Sequence, residues 1–385
     1  MATGPLAGFR VLELAGIGPV PFAGMLLADL GADVIRVDRT RSDPGATWVD
    51  PEFDVMGRGC RSIAVDMKAP RGVGVVLRLV DGCDVLIEGF RPGVVERLGI
   101  GPEVCMARNP RLIYGRMTGW GQSGPLAAEA GHDIDYIALT GALHAIGGAD
   151  KPLPPLNLLA DFGGGALYLV VGVLSALLER SRSGKGDVVD AAMVDGVASL
   201  MSIFYVMNQN GFWVDRRGEN FLDGGAHFYG TYRTADGKYV AVGAIEPQFY
   251  GQWLARMGID AGELPSQHDR EGWTAARGRV AEIFATRTRD QWCEVFAGSD
   301  ACVAPVLALS EVASHPHIQA RGTVRALRGV LQAAPAPRLE RSSAALPAPA
   351  PAVGGHTREL LAEAGYDGAS IDVLLRDGVV ATEVE

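Results

Sequence analysis

Short apolar segments alternate with helical patterns throughout the first 200 residues of this 385-residue chain. Each apolar segment has the length of a buried strand, and the pattern from residue 21 to residue 30 places Phe22, Met25, Leu26 and Leu30 on one helical face. Strands separated by helices imply βαβ units and a mostly parallel sheet with both faces covered. We therefore predict an α/β fold with strands at residues 9–14, 33–37, 62–67, 84–87, 112–117 and 187–193.

The pattern changes near Gly224, where a second domain is expected because one simple core rarely serves a chain of this length. Segments 229–233 and 239–244 flank a hairpin signal that contains Asp236-Gly237. Residues 334–352 are rich in Ala and Pro and are typical of an extended connector. We predict a large domain at residues 1–200 and 325–385, a connecting helix or linker at 201–224, and a small α+β domain at 225–324.

Charge and cysteine content exclude several classes of function. The net charge of −10 argues against a general nucleic-acid or anionic-membrane surface. Five cysteines without a CxxC pair indicate reduced thiols, which predicts a cytoplasmic protein without a disulfide framework or a metal site. Residues 1–7 lack a signal-peptide pattern. The uncharged run at residues 162–178 lies at the lower limit for a membrane span, and we expect it to form a buried helix.

The turn after the first predicted strand superficially resembles a dinucleotide fingerprint. Gly16-Ile17-Gly18 is followed by Asp38 at the end of the second strand, but Pro21 replaces the third glycine. Because Pro19 and Pro21 also stiffen a loop that would have to wrap a pyrophosphate, we interpret this segment as a structural βα turn.

Five arginines lie at or just beyond the ends of the predicted strands, where open α/β sheets bind their ligands. The planar guanidinium group suits phosphate oxygens, although arginines at strand ends can also be merely solvated. In an acidic chain, we expect this group to bind a phosphorylated ligand: Arg36, Arg39, Arg58, Arg61 and Arg91.

Two further segments offer possible acid/base groups. His132 precedes Asp133 at a predicted helix start, and by itself it fits a core or helix-start histidine equally well. Asp161 precedes three glycines and could serve only as a helix N-cap. Three glycines in a first helical turn cost roughly 1 kcal/mol each relative to Ala, a cost explained if a ligand must approach the backbone. Exposed N–H groups there could also hold an oxyanion.

Taken together, the segments resemble the α-methylacyl-CoA racemases of the family III CoA-transferase superfamily. The similarity runs from Gly4 to the C-terminal helix in the family's order and spacing. The matching segments are LELAG (12–16), ADLGADVIRVDR (28–39), DVLIEGFRPG (84–93), TGWGQSGP (118–125), GHD (131–133), PLNLLADF (155–162), SGKG (183–186), DGGA (223–226) and GAIEPQ (243–248).

The resemblance implies a fold that the patterns do not: an interlocked homodimer with a Rossmann-like large domain and a small α+β domain. It also implies an active site shared between subunits and CoA bound on the large domain. The residues that match or adjoin the family's CoA and substrate positions are Arg36, Arg39, Arg58, Ala64, Val65, Asp66, Met67, Gly89, Arg91, Gly131, Asp133, Tyr136 and Asn157.

By the same resemblance, His132 and Asp161 are bases on opposite faces of the substrate, and Glu246 orients the histidine across the dimer. A proton moved between the two faces through an enolate would invert the C2 centre of a 2-methylacyl-CoA. No cofactor is implied beyond the CoA moiety of the substrate. Two alternatives remain: a CoA-transferase that uses Asp161 as nucleophile, and a non-catalytic acyl-CoA-binding protein.

Two positions depart from the family pattern. His227 follows Gly224-Gly225-Ala226, where proline is expected, and we interpret it as a surface loop residue rather than a second titrating group. Gly57 and Cys60 interrupt a basic run around Arg58, which leaves phosphate contacts from that loop open.

Overall fold

The computed structural model describes residues 3–41, 51–260, 262–342, 347–382 and 384. Its contacts divide the chain into two compact units. Unit 1 comprises Met1–Thr140, Leu156–Leu200 and Gly322–Glu385, and unit 2 comprises Gly141–Pro155 and Met201–Arg321. The units differ from the predicted boundaries at two main places. Residues 141–155, predicted in the large domain, and residues 201–224, predicted as a connector, both belong to unit 2.

The described residues form the following elements. The strands are β1 (Arg10–Leu14), β2 (Asp33–Asp38), β3 (Cys60–Val65), β4 (Val85–Glu88), β5 (Ile113–Thr118), β6 (Asp187–Ala192), β7 (Tyr229–Arg233), β8 (Tyr239–Gly243), β9 (Val303–Val306), β10 (Val324–Leu327), β11 (Val330–Ala333) and β12 (Val380–Ala381). The α-helices are α1 (Pro19–Asp29), α2 (Pro70–Val80), α3 (Val94–Leu98), α4 (Pro102–Arg108), α5 (Asp133–Leu139), α6 (Ala142–Ala145), α7 (Leu167–Ser183), α8 (Met193–Leu200), α9 (Ser202–Gln209), α10 (Pro247–Met257), α11 (Trp273–Phe284), α12 (Arg289–Phe296), α13 (Leu309–Val312), α14 (Pro316–Arg321), α15 (Thr357–Glu363) and α16 (Gly368–Arg376). A 3-10 turn covers Pro51–Phe53, and a π-helical segment covers Leu158–Ala166.

Unit 1 is built around a seven-stranded sheet in the order β12-β3-β2-β1-β4-β5-β6. Strands β1 to β6 pair in parallel, and β12 runs antiparallel to β3. The apolar side chains of β1, β4 and β5 are buried, as expected for a parallel sheet covered by helices. Helices α2, α15 and α16 share one hydrophobic core with the sheet, while α1 and α7 contact it as well. The predicted α/β fold with a mostly parallel sheet is confirmed.

The strand order reverses between β1 and β4. From β1 the chain continues to β2 and β3 on one side, and from β4 it continues to β5 and β6 on the other. Because parallel strands all end at the same edge, the loops after β1 and β4 leave the sheet side by side. Such a switch point is where open α/β sheets bind ligands.

Helix α7 continues the π-helical segment and packs against β5 and β6. The stretch Leu158–Ser183 is long and apolar enough to cross a membrane by length and composition alone. Of its most apolar 18-residue part, 39% is buried within the protein. Leu169, Val173 and Leu177 lie on the buried face, whereas Val171 and Leu178 are exposed. The helix that we expected to be buried therefore has one covered and one open apolar face.

Unit 2 contains the antiparallel sheet β7-β8-β9 and an aromatic core formed with α10, α11 and α12. His227 belongs to this core and is not a surface loop residue as predicted, because its side chain is fully buried. Its Nε2 lies 2.7 Å from the hydroxyl of Tyr250, and its ring contacts Phe228 and Trp253. Burial lowers the pKa of His227 to about 4, so the ring is neutral at physiological pH.

Glu13 is a buried acid in the middle of the sheet. It lies on β1, and neither carboxyl oxygen has a hydrogen-bond partner among the described residues. Gly24 of α1 makes room for it, because a Cβ at this glycine would lie 1.9 Å from Oε2 of Glu13. Burial raises the pKa of Glu13 to about 8, although the nearby charge of Arg36 acts in the opposite direction. Glu13 is therefore protonated in the folded protein near neutral pH.

We expect Glu13→Gln to remove one source of pH-dependent stability. The folded-state pKa of about 8 exceeds the ordinary value of 4.5, so the folded state retains a proton across this window. Stability is then lost as the pH rises from 5 to 8, by at most about 1.4 kcal/mol per pH unit. Urea unfolding at pH 5, 6.5 and 8 should show this loss in the wild type and a smaller one in the variant. Equal slopes in both proteins would contradict the prediction.

Candidate active site

Asp161 lies beside the switch point of the sheet. The loop after β1 turns at Gly18, whose φ of +75° lies in the region that favours glycine. A Cβ at Gly18 would lie 3.3 Å from Oδ2 of Asp161, so this loop closely approaches the carboxylate. The rings of Phe22 and Phe162 pack at 4.5 Å and hold α1 against the segment that carries Asp161.

The segment around Asp161 is a π-helical turn rather than the start of an α-helix. It begins after Asn157 and continues into α7, and the N–H of Leu167 bonds to the carbonyl of Phe162 five residues earlier. Asp161 therefore lies within the first turn and is not the N-cap that we considered from the sequence. π-Helical turns are rare and often mark functional sites, because they displace a side chain from regular α-helical spacing.

The carboxylate of Asp161 is half-buried and accepts a 3.0 Å hydrogen bond from Nδ2 of Asn157. Burial raises the pKa of Asp161, and the charge of Asp133 adds to this increase. The hydrogen bond from Asn157 and the charge of His132 act in the opposite direction. Asp161 thus holds a proton more readily than an ordinary aspartate, as suits a group that both accepts and donates protons.

His132 is the N-cap residue of α5, and its side chain is exposed. Its backbone N–H donates to the carboxylate of Asp135 at 2.9 Å, which fixes the helix start. Directly before it, the carbonyl of Gly131 accepts a 2.5 Å hydrogen bond from the hydroxyl of Tyr136. Tyr136 in turn packs edge-on against Trp120 at 4.7 Å. These contacts hold the backbone on both sides of His132 while the imidazole remains accessible.

Asp133 connects the two candidate acid/base groups. Its side chain is 6% exposed, and Oδ2 accepts hydrogen bonds from the N–H groups of Ala160 at 2.6 Å and Asp161 at 2.9 Å. Asp133 directly follows His132, so one carboxylate joins the start of α5 to the π-helical turn. Because Asp133 uses these two N–H groups, they are not available to hold an oxyanion as the sequence suggested.

Gly164, in the glycine run after Asp161, serves helix packing rather than ligand approach. A Cβ at Gly164 would lie 2.7 Å from Cγ2 and 2.8 Å from the backbone nitrogen of Val197 in α8. From the other side, a Cβ at Gly196 would lie 1.8 Å from the carbonyl oxygen of Gly164. The π-helical segment and α8 therefore meet backbone to backbone, and this contact requires glycine. Our interpretation of the glycines as a ligand-approach site does not fit this packing.

We expect Gly164→Ala to destabilise the protein and Gly163→Ala to have little effect. At Gly164 the added methyl group would overlap the backbone of α8, and overpacking of this kind typically costs about 1–3 kcal/mol. At Gly163 the nearest atom to a new Cβ is the carbonyl oxygen of Leu158 at 3.1 Å, and the higher helix propensity of alanine offsets this crowding. Chemical denaturation of the two variants measures the difference. Similar free energies of unfolding would rule out the packing role of Gly164.

Arg36 and Arg58, two predicted phosphate-binding residues, are engaged within the protein. The guanidinium group of Arg58 is almost fully buried and donates to both carboxylate oxygens of Asp29, at 2.9 and 2.5 Å. Arg36 pairs with Asp38 at 3.1 Å and with Asp54 at 3.0 Å. These partners neutralise both arginines and occupy donors that a phosphate would need. The geometry therefore argues against the phosphate contacts predicted for Arg36 and Arg58.

Arg39 and Arg91 are exposed at the carboxyl-terminal edge of the sheet. Arg39 directly follows β2, and Arg91 lies in the loop after β4. The charge of Arg91 opposes the rise in the pKa of Tyr136, which burial raises to about 12. Arg91 thus lies close enough to Tyr136 for its charge to influence the pKa of that residue, which lies in the helix that begins at His132. Gly89, in the same loop, is exposed, and a Cβ there would lie 2.8 Å from Cγ2 of Val20.

The predicted nucleotide segment at the end of β3 is only partly accessible. Ala64 and Val65 are fully buried, and they pair with Ala381 and Val380 of β12. Asp66 and Met67 follow the strand and are half-buried. A ligand contact at this strand end would therefore fall on the last two residues of the predicted segment.

Glu246 lies in unit 2 as the N-cap residue of α10. Its side chain is exposed, and its backbone carbonyl accepts hydrogen bonds from Phe249 and Tyr250. Tyr250 is also the partner of His227. The first turn of α10 is thus anchored to the aromatic core of unit 2, while the carboxylate of Glu246 points to solvent.

Sequence reasoning missed two features of the site: the structural role of Asp133 and the acid Glu88. Glu88 ends β4 in full burial and accepts a 2.7 Å hydrogen bond from the N–H of Phe90, which shapes the loop before Arg91. Burial raises the pKa of Glu88 to about 7. The only signal in the sequence was a charged residue at the end of an apolar strand.

Among the described residues, no group of three or more side chains could hold a metal ion.

The fold defines a mixed α/β protein with a parallel-dominated sheet, and its candidate site brings Asp161 close to the loop after β1 at the switch point. The family model for CoA-transferase family III matches residues 6–357, and the chain belongs to this family. It is 46% identical to the alpha-methylacyl-CoA racemase of Mus musculus over 381 residues, or 98% of both chains. It is 46% identical to that of Homo sapiens over 379 residues, or 97% of both chains. A CAIB/BAIF family protein from Brucella suis matches with a TM-score of 0.79 and 28% identity, over 94% of this chain and 100% of that one.

Proposed function

We propose that the chain is an isomerase that inverts the C2 centre of 2-methyl-branched acyl-CoA thioesters. The observation that carries this proposal is the connection of His132 to Asp161 through Asp133, at the ligand-binding edge of the sheet. An imidazole and a carboxylate held at one edge meet the need of a racemase for two acid/base groups. The 46% identity to the mouse and human racemases supports this choice within the family.

In the proposed reaction, one of the two groups removes the α-proton and an enolate forms. The other group then donates a proton to the opposite face, which inverts the centre. The raised pKa of Asp161 suits both halves of this cycle, because the group has to accept a proton in one direction and release it in the other. We propose that Asn157 keeps the carboxylate of Asp161 oriented through its hydrogen bond. No cofactor takes part in this scheme beyond the CoA moiety of the substrate.

CoA would bind at the carboxyl ends of the strands, with Arg39 and Arg91 as the contacts for its phosphates. Both arginines are exposed at this edge, whereas Arg36 is half-buried and Arg58 is buried. The strand order β3-β2-β1-β4-β5-β6 supports a Rossmann-like description of the large unit. Gly131, Tyr136, Asp66 and Met67 would line the same site.

We expect Arg91→Ala to weaken CoA binding by about 10- to 100-fold, since hydrogen bonds to charged groups contribute about 1.5–3 kcal/mol. Arg182→Ala is the matched control, because Arg182 is an exposed arginine at the end of α7 that pairs only with its helical neighbour Glu179 among the described residues. Titration calorimetry with CoA at two salt concentrations measures both variants. Equal affinities in the two variants would remove Arg91 from the phosphate site.

The active protein would be a cytoplasmic homodimer in which Glu246 of one subunit orients His132 of the other. The open apolar face of α7, with Leu167, Val171 and Leu178, supports a subunit interface. In α9, a helix without buried residues, Ile203 and Val206 are exposed as well. This proposal assigns the apolar surface to a second subunit rather than to a membrane, and the net charge of −10 argues against a nucleic-acid partner.

Incubation of the protein with a single 2-methylacyl-CoA epimer in D₂O, without an acceptor acid, tests the proposed activity. A racemase should incorporate deuterium at C2 and form the other epimer, because each face exchanges its proton through a different group. CoA transfer to an added carboxylic acid without exchange at C2 would instead support a transferase with Asp161 as nucleophile. Tight binding with neither reaction would support an acyl-CoA-binding protein.

We expect His132→Ala to abolish epimerisation, with a loss of at least about 100-fold, while CoA binding stays near the wild-type level. His132 is exposed at the start of α5, so its removal should leave the folded structure intact. The epimerisation rate and the dissociation constant for CoA are measured together. Undiminished turnover would exclude His132 from the mechanism.

A further inference from the structure

We propose that Asp133 is a positioning residue that sets the spacing between the two acid/base groups of the site. This inference rests on the proposed racemase function. It assigns the side chain of Asp133 a role within the protein, in place of the substrate contact expected from the sequence. The carboxylate acts by holding the turn of Asp161 against the start of the helix that His132 begins.

The hydrogen bonds of Asp133 leave little freedom in the distance between His132 and Asp161. Asp133 follows His132 by one peptide bond, and its Oδ2 bonds to the N–H of Asp161 itself at 2.9 Å. The second bond, from the N–H of Ala160 at 2.6 Å, prevents rotation of the turn about a single contact. Because proton transfer depends steeply on distance, a displacement of 1 Å between base and substrate can cost about 100-fold in rate.

The π-helical turn explains why a side chain has to supply these hydrogen bonds. The first N–H groups of a helix lack partners within the helix, and a wider i→i+5 turn leaves one more of them unpaired than an α-helix does. Asp133 accepts from two of these groups in a buried position, where unpaired N–H groups are costly. The position of Asp161 therefore depends on an acceptor carried by another element.

Helix capping alone does not explain why residue 133 is an aspartate. A buried charge is costly to maintain, and Oδ1 of Asp133 has no hydrogen-bond partner among the described residues. Asp133 also lies close enough to Asp161 to raise the pKa of that residue, which disfavours a second negative charge. Serine or asparagine could cap the same turn at lower electrostatic cost. The two neighbouring carboxyl groups are therefore explained better by a need at the reaction site than by the stability of the turn.

Asp133→Ala and Asp133→Asn test the inference, with Asp367→Ala as the matched control. Asp367 also accepts a backbone N–H at a helix start, from Ser370 at 2.8 Å, but it is the N-cap of α16, which shares its core with α2 and α15. Each epimer is incubated separately in D₂O, and the rates of exchange at C2 and of inversion are measured. KM and kcat are determined for both directions.

We expect Asp133→Ala to lower kcat for epimerisation by about 100-fold with a much smaller change in KM. Exchange without inversion should persist for one epimer, because His132 remains in place while Asp161 is displaced. The ratio of exchange to inversion should therefore rise for that epimer only. Asp133→Asn keeps an oxygen that can accept both N–H groups and should recover part of the inversion rate. Asp367→Ala should leave the ratio unchanged.

Hydrogen–deuterium exchange of the backbone provides a readout that does not depend on activity. The amides of residues 158–166 should exchange faster in Asp133→Ala than in the wild type, and Asp367→Ala should not change them. Unchanged protection of this segment, or an equal loss of exchange and inversion for both epimers, would overturn the positioning role. Absence of C2 exchange in the wild type would instead refute the racemase function, and the amide measurement would still decide the role of Asp133.

Discussion

Parallel pairing of the six strands β1 to β6 is the constraint on which the candidate site depends. Each strand must return to the same end of the sheet before the next one begins, so every carboxyl end lies at one edge. The loops that contain Gly18 and Arg91 leave this edge from adjacent strands, because the strand order reverses between β1 and β4. The same edge receives the turn of Asp161, which packs against α1. A site assembled in this way draws residues from segments far apart in the chain.

Buried ionisable groups in unit 1 fall into two classes: those paired with an opposite charge and those without such a partner. Arg58 and Asp29 are both buried, and each satisfies the other, which is the usual condition for keeping ions away from water. Asp133, Asp161 and Glu13 are carboxyl groups that form no comparable ion pair among the described residues, and burial raises the pKa of Asp161 and Glu13. Glu13 avoids the desolvation cost of a buried charge by remaining protonated. At Asp133 and Asp161 the arrangement is unfavourable for stability, which fits the roles that we propose for both residues at the reaction site.

Prediction from the sequence succeeded where one local pattern determined the outcome. Strands β1 to β5 were recognised because each is a short apolar run between helical patterns, and burial on both faces of a parallel sheet produces that composition. The π-helical turn was not recognised, since apolar spacing does not distinguish a wide turn from the start of an α-helix. His227 was misplaced because its neighbours are glycines typical of loops. Its burial depends on Tyr250 and Trp253, which follow more than twenty residues later.

By itself, the sequence determined the fold class, the strands of the large sheet and the identity of His132 and Asp161 as candidate acid/base groups. These properties depend on local composition, periodicity and motif. Only the tertiary structure decided which arginines remain accessible, that Gly164 serves helix packing, and that Asp133 joins the two candidate groups. These outcomes depend on contacts between residues distant in the chain, such as Arg58 with Asp29 and Gly164 with Val197. A hydrogen bond across 28 positions, from Asp161 to Asp133, leaves no periodic trace in the sequence.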